Sequence, residues 1–303
     1  MSCKIGFVGH LTIDEIIYKD GIVRTSPGGT VFYSSLTSSR LNSKSQVYSV
    51  IGEDYPEDYL RILLEAGVDY SRIVIHKEHK TTMYRIVYRD GDRELFLLER
   101  APRINIEEIG DVDIVYLGPV AGEITVEDVR KVVGKFKTML DPQGILRKPL
   151  QDRRIILEKN FKIGLLRGVG IIRLTREEAF ILTDEVKPLD AVRKIQDAGV
   201  ENVILSMGYE GVITANKKKR YFIPSYSKAK VVDPTGAGDV LGGAFLTEYL
   251  SSGDFLWASC IGVSAASISI EDYGAEAILS KNFKKRVIER SYEIIDKIRE
   301  IYQ

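Results

Sequence analysis

VVDPTGAGDVLGGAF, residues 231–245, decides how the rest of this 303-residue chain is read. A short β-branched run ends at Asp233. Pro234, Thr235 and the turn Gly236-Ala237-Gly238 follow, and Asp239 then opens an apolar segment with helical spacing. Strand, glycine-rich turn and helix N-terminus together make an anion site, because glycines let backbone N–H groups converge and the helix dipole favours negative charge. A carboxylate beside such a nest repels the anion that the nest attracts. The combination makes sense when the nest holds a phosphate and the carboxylate takes a proton from the attacking group.

GAGDVLG also fits a loose dinucleotide fingerprint through Gly236, Gly238 and Gly242. That fingerprint calls for a second strand with an acidic tip about 20 residues on, whereas residues 246–270 keep a helical, small-residue pattern. No G-x-x-x-x-G-K-[ST] run occurs, so this is not a P-loop. Gly242 and Gly243 are explained by close helix packing alone.

Outward from this stretch, strands and helices alternate. Residues 4–9 read as a buried first strand, with Asp14 just beyond its carboxyl end, where ligands bind in open α/β sheets. Residues 15–19 and 22–25 form a hairpin about Asp20-Gly21, and Ser26-Pro27-Gly28-Gly29-Thr30 leads into a helix over 31–41. A strand over 46–52, a helix over 57–66 and a strand over 73–76 follow. A second hairpin, 81–88 with 94–98, turns on Asp90-Gly91-Asp92. From residue 113 the alternation resumes: strands at 114–117, 138–140, within 164–175 and at 203–205, with helices at 125–136, 177–182 and 189–198. A short hairpin surrounds the basic run 217–220, and helical patterns cover 240–250, 256–268 and 284–301. The pattern predicts one α/β domain over 1–303, a doubly wound, mostly parallel sheet flanked by helices. The two hairpins, about 15–25 and 81–99, form a small β-sheet lid.

Lys+Arg and Asp+Glu balance at 43 each, so neither a nucleic-acid partner nor a membrane surface has charge support. Cys3 and Cys260 lie far apart without metal-type spacing, which disfavours a disulfide scaffold or zinc site and fits a reducing cytoplasm. No basic, apolar leader precedes the first strand, and no apolar run reaches the length of a membrane span. His10, His76 and His79 lie in different segments and read as solvated rather than catalytic. Arg85, Arg100 and Arg103 read first as lid-surface charge; a carboxylate or phosphate on the substrate is their alternative partner.

Asp233-Pro234-Thr235-Gly236-Ala237-Gly238-Asp239 resembles the C-terminal signature of the ribokinase-like (PfkB) carbohydrate kinase family, and Asp14 with Gly28-Gly29 resembles its N-terminal one. The resemblance covers essentially the whole chain and implies an ATP-dependent kinase that phosphorylates a hydroxyl of a small sugar or polyol. It casts Asp239 as the base for the acceptor hydroxyl, and the N–H groups of Gly236, Ala237 and Gly238 as the anion hole. Asp233 either caps the strand end or helps hold a monovalent cation such as K+. Asp14 would accept hydrogen bonds from substrate hydroxyls, with Gly28 and Gly29 allowing close approach. Tyr33 stands where many members carry an asparagine that reads sugar hydroxyls, so it either stacks on a ring or fills the core. Thr175 and Glu178 resemble an N-x-x-E element, with Glu178 holding Mg2+ through water or closing a capping box. Thr175, Ser206, Gly208, Gly211, Thr235 and Gly238 fall to the nucleotide, and Asp141-Pro142-Gln143 resembles a D-P-N element. The alternatives are a nucleoside, sugar-acid or sugar-phosphate kinase of the same family, a non-catalytic nucleotide or effector sensor, and an NAD-dependent oxidoreductase. Bare strand edges in the lid invite a homodimer.

Overall fold

Short apolar runs such as KIGFV, IVYL and IIRLT are too continuous for a half-solvated strand, and they build a sheet buried on both faces. The computed structural model describes residues 3–89 and 92–302. In chain order its strands are β1 (Lys4–Val8), β2 (Thr12–Ile17), β3 (Val23–Gly28), β4 (Lys44–Gly52), β5 (Asp69–His76), β6 (Thr82–Arg89), β7 (Asp92–Glu99) and β8 (Ile114–Leu117). Then come β9 (Thr138–Leu140), β10 (Arg147–Pro149), β11 (Ile155–Leu157), β12 (Ile171–Thr175), β13 (Asn202–Ser206), β14 (Gly211–Ala215), β15 (Arg220–Pro224) and β16 (Arg299–Glu300). The helices are α1 (Thr30–Arg40), α2 (Glu57–Glu65), α3 (Val126–Val133), α4 (Gln143–Leu146), α5 (Arg176–Thr183), α6 (Pro188–Asp197), α7 (Ala237–Ser252), α8 (Phe255–Ser269), α9 (Glu276–Leu279) and α10 (Phe283–Ile295).

The main sheet has 10 strands in the order β16-β15-β14-β13-β12-β9-β8-β1-β4-β5. From β5 to β13 every pairing is parallel; β14, β15 and β16 extend it antiparallel. Successive side chains point to opposite faces of a strand, so Phe7 joins the core that also holds residues of α1, α7 and α8, while Val8 joins the core on the other face with residues of α3, α5 and α6. A separate 4-stranded sheet, β3-β2-β6-β7, is the pair of hairpins, joined by parallel pairing of β2 with β6. The turn at Asp90-Gly91-Asp92 has its first two residues outside the described residues.

Four sequence readings need correction. The strand expected to end at Asp233 does not form: β15 stops at Pro224, no strand covers 225–236, and Val231 and Val232 are exposed. Asp14 is not at the tip of β1 but inside β2, whose buried face carries Thr12, Asp14 and Ile16. The hairpin therefore starts earlier than residue 15, and β3 runs on through Ser26 and Pro27 to Gly28. The final helix stops at Ile295, and Arg299–Glu300 returns as an edge strand on β15. The β10–β11 pair had no sequence signal.

Candidate functional site

Gly236 is the N-cap of α7, at φ 75°. Only glycine takes that left-handed conformation without penalty, and a side chain there would also lie 2.7 Å from the Tyr33 ring. No side chain caps this helix; the Ala237 N–H donates to the Pro234 carbonyl at 3.3 Å, and the N–H groups of Gly238 and Asp239 face the helix end. Gly238 is glycine for a different reason: any side chain would run into the guanidinium of Arg173. The loop is pinned from behind by Asp233, which is 1% exposed. Its Oδ1 accepts from the Thr235 N–H at 2.9 Å, and its Oδ2 from the Tyr18 hydroxyl at 2.7 Å and the Gly274 N–H at 3.0 Å. A carboxylate surrounded by three donors is a cap. A carboxylate has about four lone-pair directions, so these three donors leave at most one of them for a monovalent cation.

Asp239 lies in the first turn of α7. Its Oδ1 accepts from Arg173 Nη2 at 3.3 Å and from Gln143 Nε2 at 3.5 Å. Arg173 also pairs with Asp141, which is fully buried at the end of β9. Burial pushes the Asp141 carboxyl up while Arg173 pulls it down; burial would loosen the Arg173 proton, but the Asp141 charge more than reverses that. An arginine keeps its proton inside a protein, so Arg173 is the fixed charge of the pair, while burial outweighs it and leaves the Asp141 carboxyl raised, to about 7. The Asp141-Pro142-Gln143 element thus supplies two partners to the Asp239 surroundings, one of them through Arg173.

Facing Asp239 across one cleft is Asp14. The lining brings together Thr12, Asp14, Gly29, Tyr33, Thr235, Gly236 and Asp239, with Arg93, Gln143 and Arg147 among the other walls. Gly28 lacks a side chain because the Asp14 carboxylate occupies that space. Gly29, at φ 91°, caps α1 without a side chain, so a second open helix N-terminus reaches this region. Tyr33 is the floor: it is 2% exposed, packs edge-on against Phe32, and its buried hydroxyl has no hydrogen-bond partner among the described residues.

Burial pushes the Asp14 carboxyl up to about 6; the Thr12 hydroxyl, donating at 2.6 Å, and the Arg147 charge work against it, and Asp239 adds to it. The folded chain therefore holds this proton more tightly than the unfolded one. Its contribution to stability is present below about pH 4 and is lost as pH rises to about 6. Asp14→Asn cannot ionise, so its Tm should exceed that of the parent by a few degrees at pH 7 and match it near pH 4. Thermal melts at the two pH values check this; equal Tm values at pH 7 would contradict it.

Thr175, Glu178, Ser206, Gly208 and Gly211 do not line this cleft. Thr175 and Ser206 are register partners at the carboxyl ends of β12 and β13. Glu178 closes a capping box: its Oε2 accepts the Thr175 N–H at 2.8 Å, and Thr175 Oγ1 accepts the Glu178 N–H at 3.2 Å. Gly208 and Gly211 take positive φ around the exposed Tyr209. Thr235 points to the small sheet, its Oγ1 lying 2.8 Å from the Tyr88 hydroxyl. With Tyr18 on Asp233, that sheet touches the glycine loop at two hydroxyls.

The arginines singled out in the sequence are spent elsewhere: Arg85 on Glu15, Arg103 on Asp128 and Arg100 on the Gly122 carbonyl. Arg93 and Arg147 line the cleft instead. Arg147 donates to Gln143 and to the Val120 carbonyl. His10 is not solvated but fully buried between Thr82 and the Pro102 carbonyl, and His76 meets His79 at 4.6 Å between ring centroids. Among the described residues no group of three or more His, Cys, Asp or Glu side chains could hold a metal, and no helix is long and apolar enough to cross a membrane.

Residues 4–282 match the family described as pfkB family carbohydrate kinase. A cytidine kinase of Thermococcus kodakarensis is 27% identical over 80% of this chain and 87% of its own length. A deoxyribokinase of Salmonella typhi is 31% identical over 90% of this chain and 94% of its own. Among solved structures, a pyrophosphate-dependent kinase of the ribokinase family, complexed with a pyrophosphate analogue and myo-inositol, superposes with a TM-score of 0.78 at 23% identity, covering 89% and 96% of the two chains. Arabidopsis thaliana ribokinase with ribose and ATP gives 0.77 at 20% identity, covering 96% and 99%. At these identities the structures establish a common fold, the ribokinase-like one.

Proposed function

Because the chain belongs to the pfkB family of carbohydrate kinases, phosphotransferases with an alcohol group as acceptor, we propose that it moves the γ-phosphoryl group of ATP to a hydroxyl of a small sugar or polyol. The observation that carries this reading is a single cleft lined at once by Asp14, Asp239 and the glycine loop. Asp14 accepts hydrogen bonds from acceptor hydroxyls, and the Tyr33 ring forms the floor beneath them. The acceptor oxygen attacks phosphorus and the bond to the leaving diphosphate breaks. Asp239 takes the proton, most readily late in the step, when the attacking hydroxyl has acidified. The N–H groups of Gly236, Ala237 and Gly238 stabilise charge on the transferred group.

Mg2+ bound with the nucleotide supplies charge neutralisation across the phosphates. Glu178 fits a water-mediated hold on such an ion, since the capping box occupies its Oε2 and leaves its Oε1. Thr175, Ser206, Gly208 and Gly211 form the nucleotide side. The small sheet acts as a lid, with Tyr18 and Tyr88 seating it on the loop and excluding water.

A nucleoside acceptor is the second reading, favoured by the similarity to cytidine kinase. A coupled assay of ADP release with ribose, deoxyribose, myo-inositol, cytidine and a sugar acid separates the readings. Stimulation by one class selects it; no stimulated ADP release with ATP, and no stimulated release of inorganic phosphate when pyrophosphate is the donor, would contradict a kinase.

A further inference from the structure

We propose that Arg173 is the positioning residue for Asp239, holding the carboxylate in line while setting a fixed positive charge beneath the glycine loop. This rests on the reading of Asp239 as the base. Three observations carry it. Arg173 sits in the middle of β12, 4% exposed, between Ile172 and Leu174, which are both fully buried. A cation in a central parallel strand is costly unless paired, so its place there calls for a reason. Its partners come from two other elements: Asp141 at the end of the adjacent β9, and Asp239 at the start of α7. Finally, its guanidinium lies against Gly238, at the one position of the loop where a side chain would displace it.

The consequences follow from geometry. Both partners of the Asp239 carboxylate, Arg173 and Gln143, bind Oδ1. A carboxylate gripped at one oxygen by a planar donor cannot rotate freely, and the other oxygen, Oδ2, is then presented in one direction for the acceptor proton. Asp141 pairs with the same nitrogen, Nη2, that reaches Asp239, so the strand end fixes that one nitrogen between the two carboxylates. The same cation stands under the N–H groups that receive the phosphoryl charge, where a preorganised charge needs no rearrangement during reaction. Sequence alone hides this, because Arg173 is separated from Asp239 by 66 positions.

The competing explanation is that Arg173 only neutralises buried Asp141. The double variant Asp141→Asn/Arg173→Gln removes both charges together and separates the two. Positioning predicts a Tm within a few degrees of the parent, acceptor KM and nucleotide Kd within about threefold, and kcat reduced about 10–100-fold. A folded double variant with kcat within threefold of the parent would overturn the proposal. Should it not fold, Arg173→Lys decides: it keeps the charge beside Asp141 but loses the planar fork. Its kcat should fall about tenfold with KM held, and parental kcat in it would overturn the proposal. Asp239→Asn, measured alongside, tests the base itself. Parental turnover there would remove the reading on which the inference rests, whereas an inactive Asp239→Asn beside a fully active double variant would remove only the role of Arg173.

Discussion

Asp239→Asn is expected to reduce phosphoryl transfer by roughly 10²–10⁴-fold, the usual worth of a positioned general base, while leaving the fold and the nucleotide Kd nearly unchanged. The asparagine keeps the shape of the side chain and an oxygen for Arg173 and Gln143 to bind. Arg173 retains its Asp141 partner, so no buried cation is left alone. What disappears is the capacity to take a proton. The loss should therefore fall on kcat, with acceptor KM within a few-fold, since Asp14 and the rest of the acceptor side are untouched. Steady-state kinetics with the acceptor varied at saturating ATP checks this; a loss confined to KM would move Asp239 from chemistry to binding.

Gly236→Ala carries the second large effect. At φ 75° an alanine is strained, and its methyl group would lie 2.7 Å from the buried Tyr33 ring. The loop must shift, the N–H groups lose their aim, and turnover should fall by about 10²–10³-fold, as when an oxyanion-hole donor is removed. Stability should fall by about 1–3 kcal/mol, the usual cost of overpacking. Gly253→Ala is the control. It lies at the other end of the same helix, at φ 70°, with nothing within 4 Å of the added carbon. It carries the backbone strain without the collision, so it should lose about 1 kcal/mol and keep parental kcat. Equal kinetic losses in both variants would mean that helix strain, not loop geometry, sets the rate.

The glycine loop was legible in the sequence because its meaning is local, one turn and one helix start within a few positions; the β-branched run before it, Val231 and Val232, reads as a strand but is exposed and pairs with no neighbouring strand. The parallel strands were legible for a similar reason, since burial on both faces leaves uninterrupted apolar runs such as Ile114–Leu117. Asp14 was found but misplaced. TIDEII alternates only weakly, and β2 becomes a full strand through its pairing with both β3 and β6, the latter about 70 positions away. Asp233 was left between two readings because the Tyr18 hydroxyl that helps decide for a cap lies 215 positions away. Arg173 was missed outright: a single charged residue inside IIRLT carries no signal of its partner, and only the β9–β12 pairing brings Asp141 to it. Arg147 was passed over for the lid arginines, because nothing in DPQGILRK says that the chain turns back past Gln143 into the cleft wall. The edge strand Arg299–Glu300 is two residues long and has no periodicity to read.

The most direct test of the account follows where the phosphoryl group goes. The acceptor that most stimulates ADP release is incubated with γ-labelled ATP and Mg2+, and the products are separated and identified by mass. A kinase built on the Asp14–Asp239 cleft gives one labelled phosphate ester of the acceptor for each ADP formed, with ester formation lost in Asp239→Asn. ADP accompanied by labelled inorganic phosphate and no ester would contradict it.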